Sequence, residues 1–396
     1  MVGCPTVIDL FCGCGGFSTG LLDVGLAIKG GFDNNVRAIA AYNYNHNYRG
    51  AQGFVLDLSK ASGHDLLQVL QLNKVDLLVG GPPCQAFSIV GSRQGLADPR
   101  GQLIFDFVRF VAELRPTAFI LENVPNLQTI SNGQVYQQLI DRFRALEYNI
   151  AYDVLLAADY GVPQNRKRLF MVGTLATQIA NFPPAATHFH PATSAVKLMN
   201  RPLYRTCQDV LEDLPDVTSP AAAAIPNHEP TQHTKKALQE LANLAPGKRS
   251  KKYFYDRLHP ERPSYTLRAG AGNFTPLRPI HYRYDRVISV RESARLQGFT
   301  DDFIWIDTIP RLQQYRQVGN AVCPPVAATL GKFICELLGW ERAPAQFVGN
   351  PASRPSASTK SQLQKETERL SCIRGASLGL GATSSTLDAA RISPPS

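Results

Sequence analysis

An α/β fold with a mostly parallel sheet, covered by helices on both faces, follows from two features of the sequence. Short β-branched apolar runs alternate with amphipathic stretches through residues 6–174, and a glycine-rich turn joins the first run to the first helix. "TVIDLF" reads as the first strand, "CGCGG" as the turn and "FSTGLLDVGL" as the helix after it. "AIKGGFDNN" is a second strand ending in Asp33, followed by the helix "VRAIAAYNYNH". "FVLDL" reads as a third strand with Asp57 at its end, and "VDLLVGG" as a fourth that runs into "GGPPCQAFS". "LIFDFVRFVAELRP" has helical spacing and is stopped by Pro116. "AFILENV" is a fifth strand ending at Glu122 and "VYQQLIDRFRALEY" a further helix. "IAYDVLLAADYG" and "RLFMVGT" are strand-like.

After about residue 175 the pattern breaks. Prolines become frequent, "AAAA" interrupts at 221–224, and "PGKRSKKYFYDRLHPERPSY" is basic and aromatic. This predicts a smaller, loop-rich domain over 175–289 beside a main domain over 1–174. Helical patterning returns in "VISVRESARLQGF" and in "NAVCPPVAATLGKFICELLGW", where two prolines stand near the helix start. Residues 290–341 are therefore expected to complete the main domain. From 342 to 396 Ser, Ala, Thr, Gly and Pro dominate without periodicity, as in a disordered tail.

The net charge of +9 is unevenly spread. Residues 175–289 hold 15 Lys/Arg against 9 Asp/Glu and residues 342–396 hold 7 against 3, whereas the rest holds 19 against 20. A basic module beside a neutral one suits a polyanion such as nucleic acid. No uncharged apolar run is long enough to span a bilayer, and the N-terminus lacks the pattern of a signal peptide, so a cytoplasmic protein without a membrane partner is expected. The eight cysteines are scattered, which suits free thiols. None has the Cys/His clustering of a zinc site, and no metal is expected.

Gly13, Gly15 and Gly16 allow the first turn to approach a ligand closely. Asp33, at the end of the second strand, can accept hydrogen bonds from a ribose diol, and Asp57 stands at the same edge. An adenosine-containing ligand fits this pattern, and NAD fits it equally well. No Walker lysine follows the turn, which argues against a nucleoside triphosphate. Cys84 follows Pro82 and Pro83, which stiffen the chain just past a strand's C-terminal end, where open α/β sheets place their chemistry. Glu122 is a carboxylate on a very apolar strand, a costly arrangement unless it is paired or used. In "VPQNRKRLF", Gln164, Arg166 and Arg168 alternate and share one side of an extended segment.

"DLFCGCGG", "GGPPCQAFS", "ENV", "QNRKRLF", "RESARLQGF" and "QVGNAVCPP", in this order, resemble the motif series of the DNA cytosine-5 methyltransferases, bacterial restriction–modification style, over about 1–340. The resemblance implies a Rossmann-like domain dependent on S-adenosylmethionine, with 175–289 as the target recognition domain. It implies that Cys84 attacks C6 of cytosine, that Glu122 holds and protonates N3, and that Arg166 contacts the base carbonyl. Asn123 and Arg168 are implied in support. For the cofactor it implies Phe11 at the adenine face, Gly13, Gly15 and Gly16 at the methionine end and Asp33 at the ribose. Asp57 is implied at the adenine amino group, Pro83 in the same cleft, and Asn320 where the last motif returns onto the first. Cys323 departs from the pattern, which has proline there.

The substrate implied is double-stranded DNA with a flipped-out cytosine. The stretch after Cys84, with Gln85, Ser88, Arg93 and Arg100, is expected to close over the DNA, and Lys251 and Arg268 to contact it. Arg291 and Glu292 are expected to form a structural pair. A monomer, near the nucleoid and in some systems beside a cognate restriction endonuclease, fits this reading. A transfer-RNA methyltransferase of the same family shares every motif. A NAD-dependent oxidoreductase accounts for the glycine turn alone, and a non-catalytic DNA-binding relative does not need Cys84 or Glu122.

Overall fold

The structure is a computed structural model and describes residues 4–83, 99–193, 202–250, 255–269 and 279–343. The strands are β1 (Thr6–Leu10), β2 (Ala27–Asp33), β3 (Gln52–Val55), β4 (Leu77–Gly80), β5 (Ala118–Asn123), β6 (Asn149–Leu156), the two-residue β7 (Gln164–Asn165) and β8 (Lys167–Thr174). Seven of them form one sheet in the order β3-β2-β1-β4-β5-β8-β6. The pairs among β1 to β5 are parallel, and β8 runs antiparallel to both β5 and β6. The mostly parallel sheet expected from the sequence is thus present. The chain leaves β1 toward β2 on one side and returns to β4 on the other, so the C-terminal end of β1 is a topological switch point, where such sheets bind ligands.

Alternate strand residues enter opposite cores. Val7, Leu77, Val79, Ala118 and Ile120 face one side, with Phe17 and Leu21 of α1 (Gly16–Asp23) and Ile39 and Tyr42 of α2 (Val36–His46). Ile8, Leu10, Leu78, Phe119 and Leu121 face the other, under α3 (Gly63–Leu70), α4 (Pro99–Leu114) and α5 (Gln134–Ala145). Burial on both faces explains why these strands read as continuous apolar runs. α3 was not legible from the sequence; its signal is the Ser62–Asp65 capping box. β3 ends at Val55, so Asp57 stands in the turn beyond it rather than closing it, as the sequence had suggested.

Two short helices, α6 (Cys207–Leu211) and α7 (Lys235–Ala242), precede β9 (Ser264–Tyr265), which pairs in parallel with β7. Then follow α8 (Val290–Gln297), α9 (Arg311–Asn320) and α10 (Pro324–Leu338). α10 packs on α1 so closely that a Cβ on Gly20 would stand 2.1 Å from the Pro324 carbonyl oxygen. The stretch 311–338 is apolar and long enough to cross a membrane by composition, yet its chain is helical only in the two pieces α9 and α10, and more than half of it is buried.

The strip Ile304–Trp305 is held from both sides. The Asn45 side chain of α2 bonds the N–H and C=O of Ile304, both at 2.8 Å. The Asn227 side chain bonds those of Trp305, at 2.9 and 2.6 Å. The expected Arg291–Glu292 pair is not formed. Neighbours on a helix point about 100° apart, and Glu292 instead takes a two-pronged pair from Arg286, at 2.8 Å on each oxygen. Arg291 is fully buried and donates to the carbonyls of Pro226, Thr300 and Phe303.

Candidate active site

The glycine turn lies at the switch point. A Cβ on Gly16 would meet the Val322 carbonyl oxygen at 2.3 Å, so the start of α1 touches the main chain just before α10. This brings the first and last motifs together, with Asn320, exposed at the end of α9, beside them. Gly16→Ala is expected to cost about 1–3 kcal/mol through overpacking and to weaken cofactor binding, as thermal melting with and without S-adenosylmethionine will show. Gly13, at φ +56°, has nothing within 4 Å of where a Cβ would stand, so the crest of the turn faces open space.

Asp33 borders that space. Its Oδ2 accepts from the Gly13 N–H at 3.0 Å and its Oδ1 from the Asn35 N–H at 2.8 Å. A carboxylate has about four acceptor positions, so some acceptor capacity remains for a ligand hydroxyl. Burial pushes its pKa up, against three backbone donors that lower it. Asp57 is turned inward on its own loop: Oδ1 accepts from the N–H and Oγ of Ser59, and Oδ2 pairs with Lys60 at 3.1 Å. Its pKa is lowered, first by the Ser59 hydroxyl. Phe11 is half-buried at φ +54° just before the turn, a conformation uncommon for a residue with a side chain.

Beneath the turn lies a polar group the sequence did not disclose. Asp9, 1% exposed, accepts from Ser18 Oγ at 2.7 Å, which lies 2.9 Å from the Tyr42 hydroxyl. Burial drives its pKa up to about 7 from 3.8. The neutral form then stabilises the fold fully below the unfolded value, and that contribution is lost as pH rises through the folded value. Asp9→Asn keeps an acceptor and no longer titrates. Its melting temperature relative to the unchanged protein is expected to rise between roughly pH 4 and pH 7, on the order of a few kcal/mol in stability. A difference that stays flat with pH would show that Asp9 ionises normally.

The second half of the site is at the end of β5. Glu122 is 8% exposed, and Arg168 Nε lies 3.0 Å from its Oε1. Sheet register explains the pair: Glu122 lies opposite Phe170, and Arg168 is two residues along on the same face. Burial raises the Glu122 pKa above 4.5, with Arg168 and then Arg166 pulling it back. Asn123 Nδ2 donates to the Pro82 carbonyl at 3.0 Å and its Oδ1 accepts from the Val124 N–H, which fixes the chain two residues before Cys84. Pro83 is half-buried at the end of that described stretch.

The geometry divides the two arginines differently from the sequence expectation. Arg166, 2% exposed, donates to the carbonyls of Leu267 (3.1 Å), Gly319 (3.0 Å) and Ala321 (3.4 Å). Desolvation pulls its pKa down to about 10, so it stays charged at neutral pH. Glu122, Arg166, Arg168, Phe170 and Cys323 line one small cavity of about 10 Å³. From the motifs alone Cys323 has no part in the site; its place there could be read only from its departure from the pattern. Burial raises its thiol to about 11, so it is not a rival nucleophile.

Cys84, Gln85, Ser88, Arg93 and Lys251 lie outside the described residues, as does the side chain of Arg100. Arg268 is exposed directly after buried Leu267. Among the described residues no group of three His, Cys, Asp or Glu could hold a metal.

The sheet order, the glycine turn at its switch point and the Glu122–Arg168 pair define a Rossmann-like S-adenosylmethionine-dependent methyltransferase. The chain belongs to the C-5 cytosine-specific DNA methylases, whose family model matches residues 5–336. It is 31% identical to the type II methyltransferase M1.HphI of Haemophilus parahaemolyticus, over 84% of this chain and 87% of that one. It is also 31% identical to M.XorII of Xanthomonas oryzae pv. oryzae, over 84% and 85%. A solved structure described as a prophage-encoded DNA modification methyltransferase from E. coli superposes with a TM-score of 0.69 at 26% identity, covering 85% of this chain and 99% of that one. The S. pombe Dnmt2 methyltransferase shares the fold at 20% identity, with a TM-score of 0.62 and coverage of 84% and 99%. The protein is therefore a DNA cytosine-5 methyltransferase of restriction–modification type that uses S-adenosylmethionine.

Proposed function

We propose that this enzyme methylates one cytosine within a specific duplex DNA sequence, flipped out of the helix and attacked by Cys84. The observation that carries this is the buried Glu122, paired with Arg168 and adjoining Asn123, which holds the chain leading to Cys84. The Cys84 thiolate adds to C6 while Glu122 passes a proton to N3, which makes C5 enamine-like. S-adenosylmethionine, when bound, supplies the electrophilic methyl group that C5 takes. Loss of the C5 proton to a base, for which water suffices, then expels the thiolate. Arg168, facing Glu122, is the better placed of the two arginines to meet the base.

The open space before Gly13 and the free acceptor positions of Asp33 support the cofactor assignment, with Phe11, Gly15, Gly16, Pro83 and Asn320 around it. Asp57 keeps at most limited acceptor capacity for the adenine amino group. Residues 175–289 are the target recognition domain in this reading, 1–174 and 290–341 the catalytic part, and 342–396 a dispensable tail. The enzyme acts as a monomer at the nucleoid, with a cognate endonuclease where the system has one.

Tritiated-methyl transfer to duplex DNA and to tRNA, from one preparation, tests the substrate. Incorporation into DNA is expected, and incorporation into tRNA alone would overturn the reading. Thermal stabilisation by S-adenosylmethionine but not by NAD is expected in parallel.

A further inference from the structure

Both main-chain groups of Leu267 are gripped by side chains of the "QNR" segment. Its N–H donates to Gln164 Oε1 at 2.9 Å, and its C=O accepts from Arg166 Nη1 at 3.1 Å. The residues before it are fastened to the same segment: β9 pairs with β7, and Thr266 Oγ1 donates to the Asn165 carbonyl at 2.9 Å. The residues after it are pressed onto the cofactor side. A Cβ on Gly319 would stand 2.7 Å from the Ala269 N and 2.8 Å from the Arg268 C. Gly319 also offers its carbonyl to Arg166 Nη2, at 3.0 Å. One buried guanidinium therefore joins the segment that ends in exposed Arg268 to the segment that ends in Asn320.

Resting on the DNA reading above, we infer that Gln164 and Arg166 are positioning residues that set where the 264–269 segment meets DNA, and so govern sequence discrimination. The fork geometry matters, because lysine has one nitrogen and cannot span three carbonyls. A shift of about 1 Å in a positioned group is enough to cost on the order of 100-fold in a reaction step. The effect should fall on the choice between the proper site and sites with one wrong base, where each mismatch is ordinarily worth about 1–3 kcal/mol.

The test is methylation mapping by bisulfite sequencing of DNA from cells expressing each form, with kcat and KM for duplex DNA measured on purified full-length protein. The unchanged enzyme defines the site; if it methylates no DNA, the substrate reading fails, separately from this inference. Arg166→Lys is expected to lower the preference for the proper site over singly mismatched sites by at least about tenfold, with KM for DNA rising more than kcat falls. Thr266→Val removes one fastening of the same strand and serves if Arg166→Lys does not fold. It is expected to relax the preference several-fold, with KM for DNA rising more than kcat falls. A fall in kcat with discrimination intact in Arg166→Lys, or intact discrimination in Thr266→Val, would overturn the inference.

Discussion

Cys84→Ser is expected to lower methyl transfer by roughly 10⁴-fold or more, the scale seen when one member of a catalytic unit is lost. A serine hydroxyl is scarcely ionised at neutral pH and has no softness toward C6, so the covalent step fails. Thermal stabilisation by S-adenosylmethionine should survive, because the glycine turn and Asp33 lie on other strands. DNA carrying 5-fluorocytosine gives the direct readout. Fluorine at C5 cannot leave as a proton does, so a C6 adduct persists as a complex stable to denaturation. The unchanged enzyme should form it. Equal trapping by Cys84→Ser would refute the nucleophile. Cys323 offers no bypass, since burial holds its thiol protonated.

Glu122→Gln is expected to lower kcat by about 10²–10⁴-fold, the range for losing a positioned general acid, with little change in KM for DNA. Glutamine keeps the shape and a donor for N3 but has no proton to give. The pH dependence adds a sign. Because burial raises the Glu122 pKa, its acid form persists to higher pH than an exposed glutamate, and kcat should fall as pH passes that raised value. Arg168→Gln removes the neighbouring cation that favours the carboxylate, so the fall should move to higher pH. A fall at the same pH in both proteins would show that another group sets it.

Much of this site was legible because strand-end chemistry is local. Asp33 closing β2, the Pro-Pro stretch beyond β4 and Glu122 at the end of β5 could be placed from apolar runs alone. What the sequence hid is what depends on pairing between distant strands. That either arginine could partner Glu122 was legible; that it is Arg168 follows only because β8 enters the sheet antiparallel beside β5. Arg166 was expected at the base carbonyl because the motif resemblance implied it there, and alternation put Gln164, Arg166 and Arg168 on one side. The chain breaks between β7 and β8, however, and Arg166 turns to the carbonyls of 267, 319 and 321. Asp9 read as part of an apolar strand; its acceptor role required Ser18 and Tyr42 from two different helices. Arg291 and Glu292 were adjacent in sequence and so invited pairing, which helical geometry forbids.

The grip on Leu267 reaches main-chain atoms alone, which every amino acid supplies, and proline fails only at the N–H. Apart from the Thr266 hydroxyl on the Asn165 carbonyl, the polar contacts that hold this strand are made to its main chain. The same property marks where an engineered exchange should be joined. A transplanted segment needs an extended stretch to lie along Gln164–Asn165 and an amide side chain opposite Trp305, as Asn227 provides now. With those two fittings kept, an exchanged segment is expected to seat in the same place.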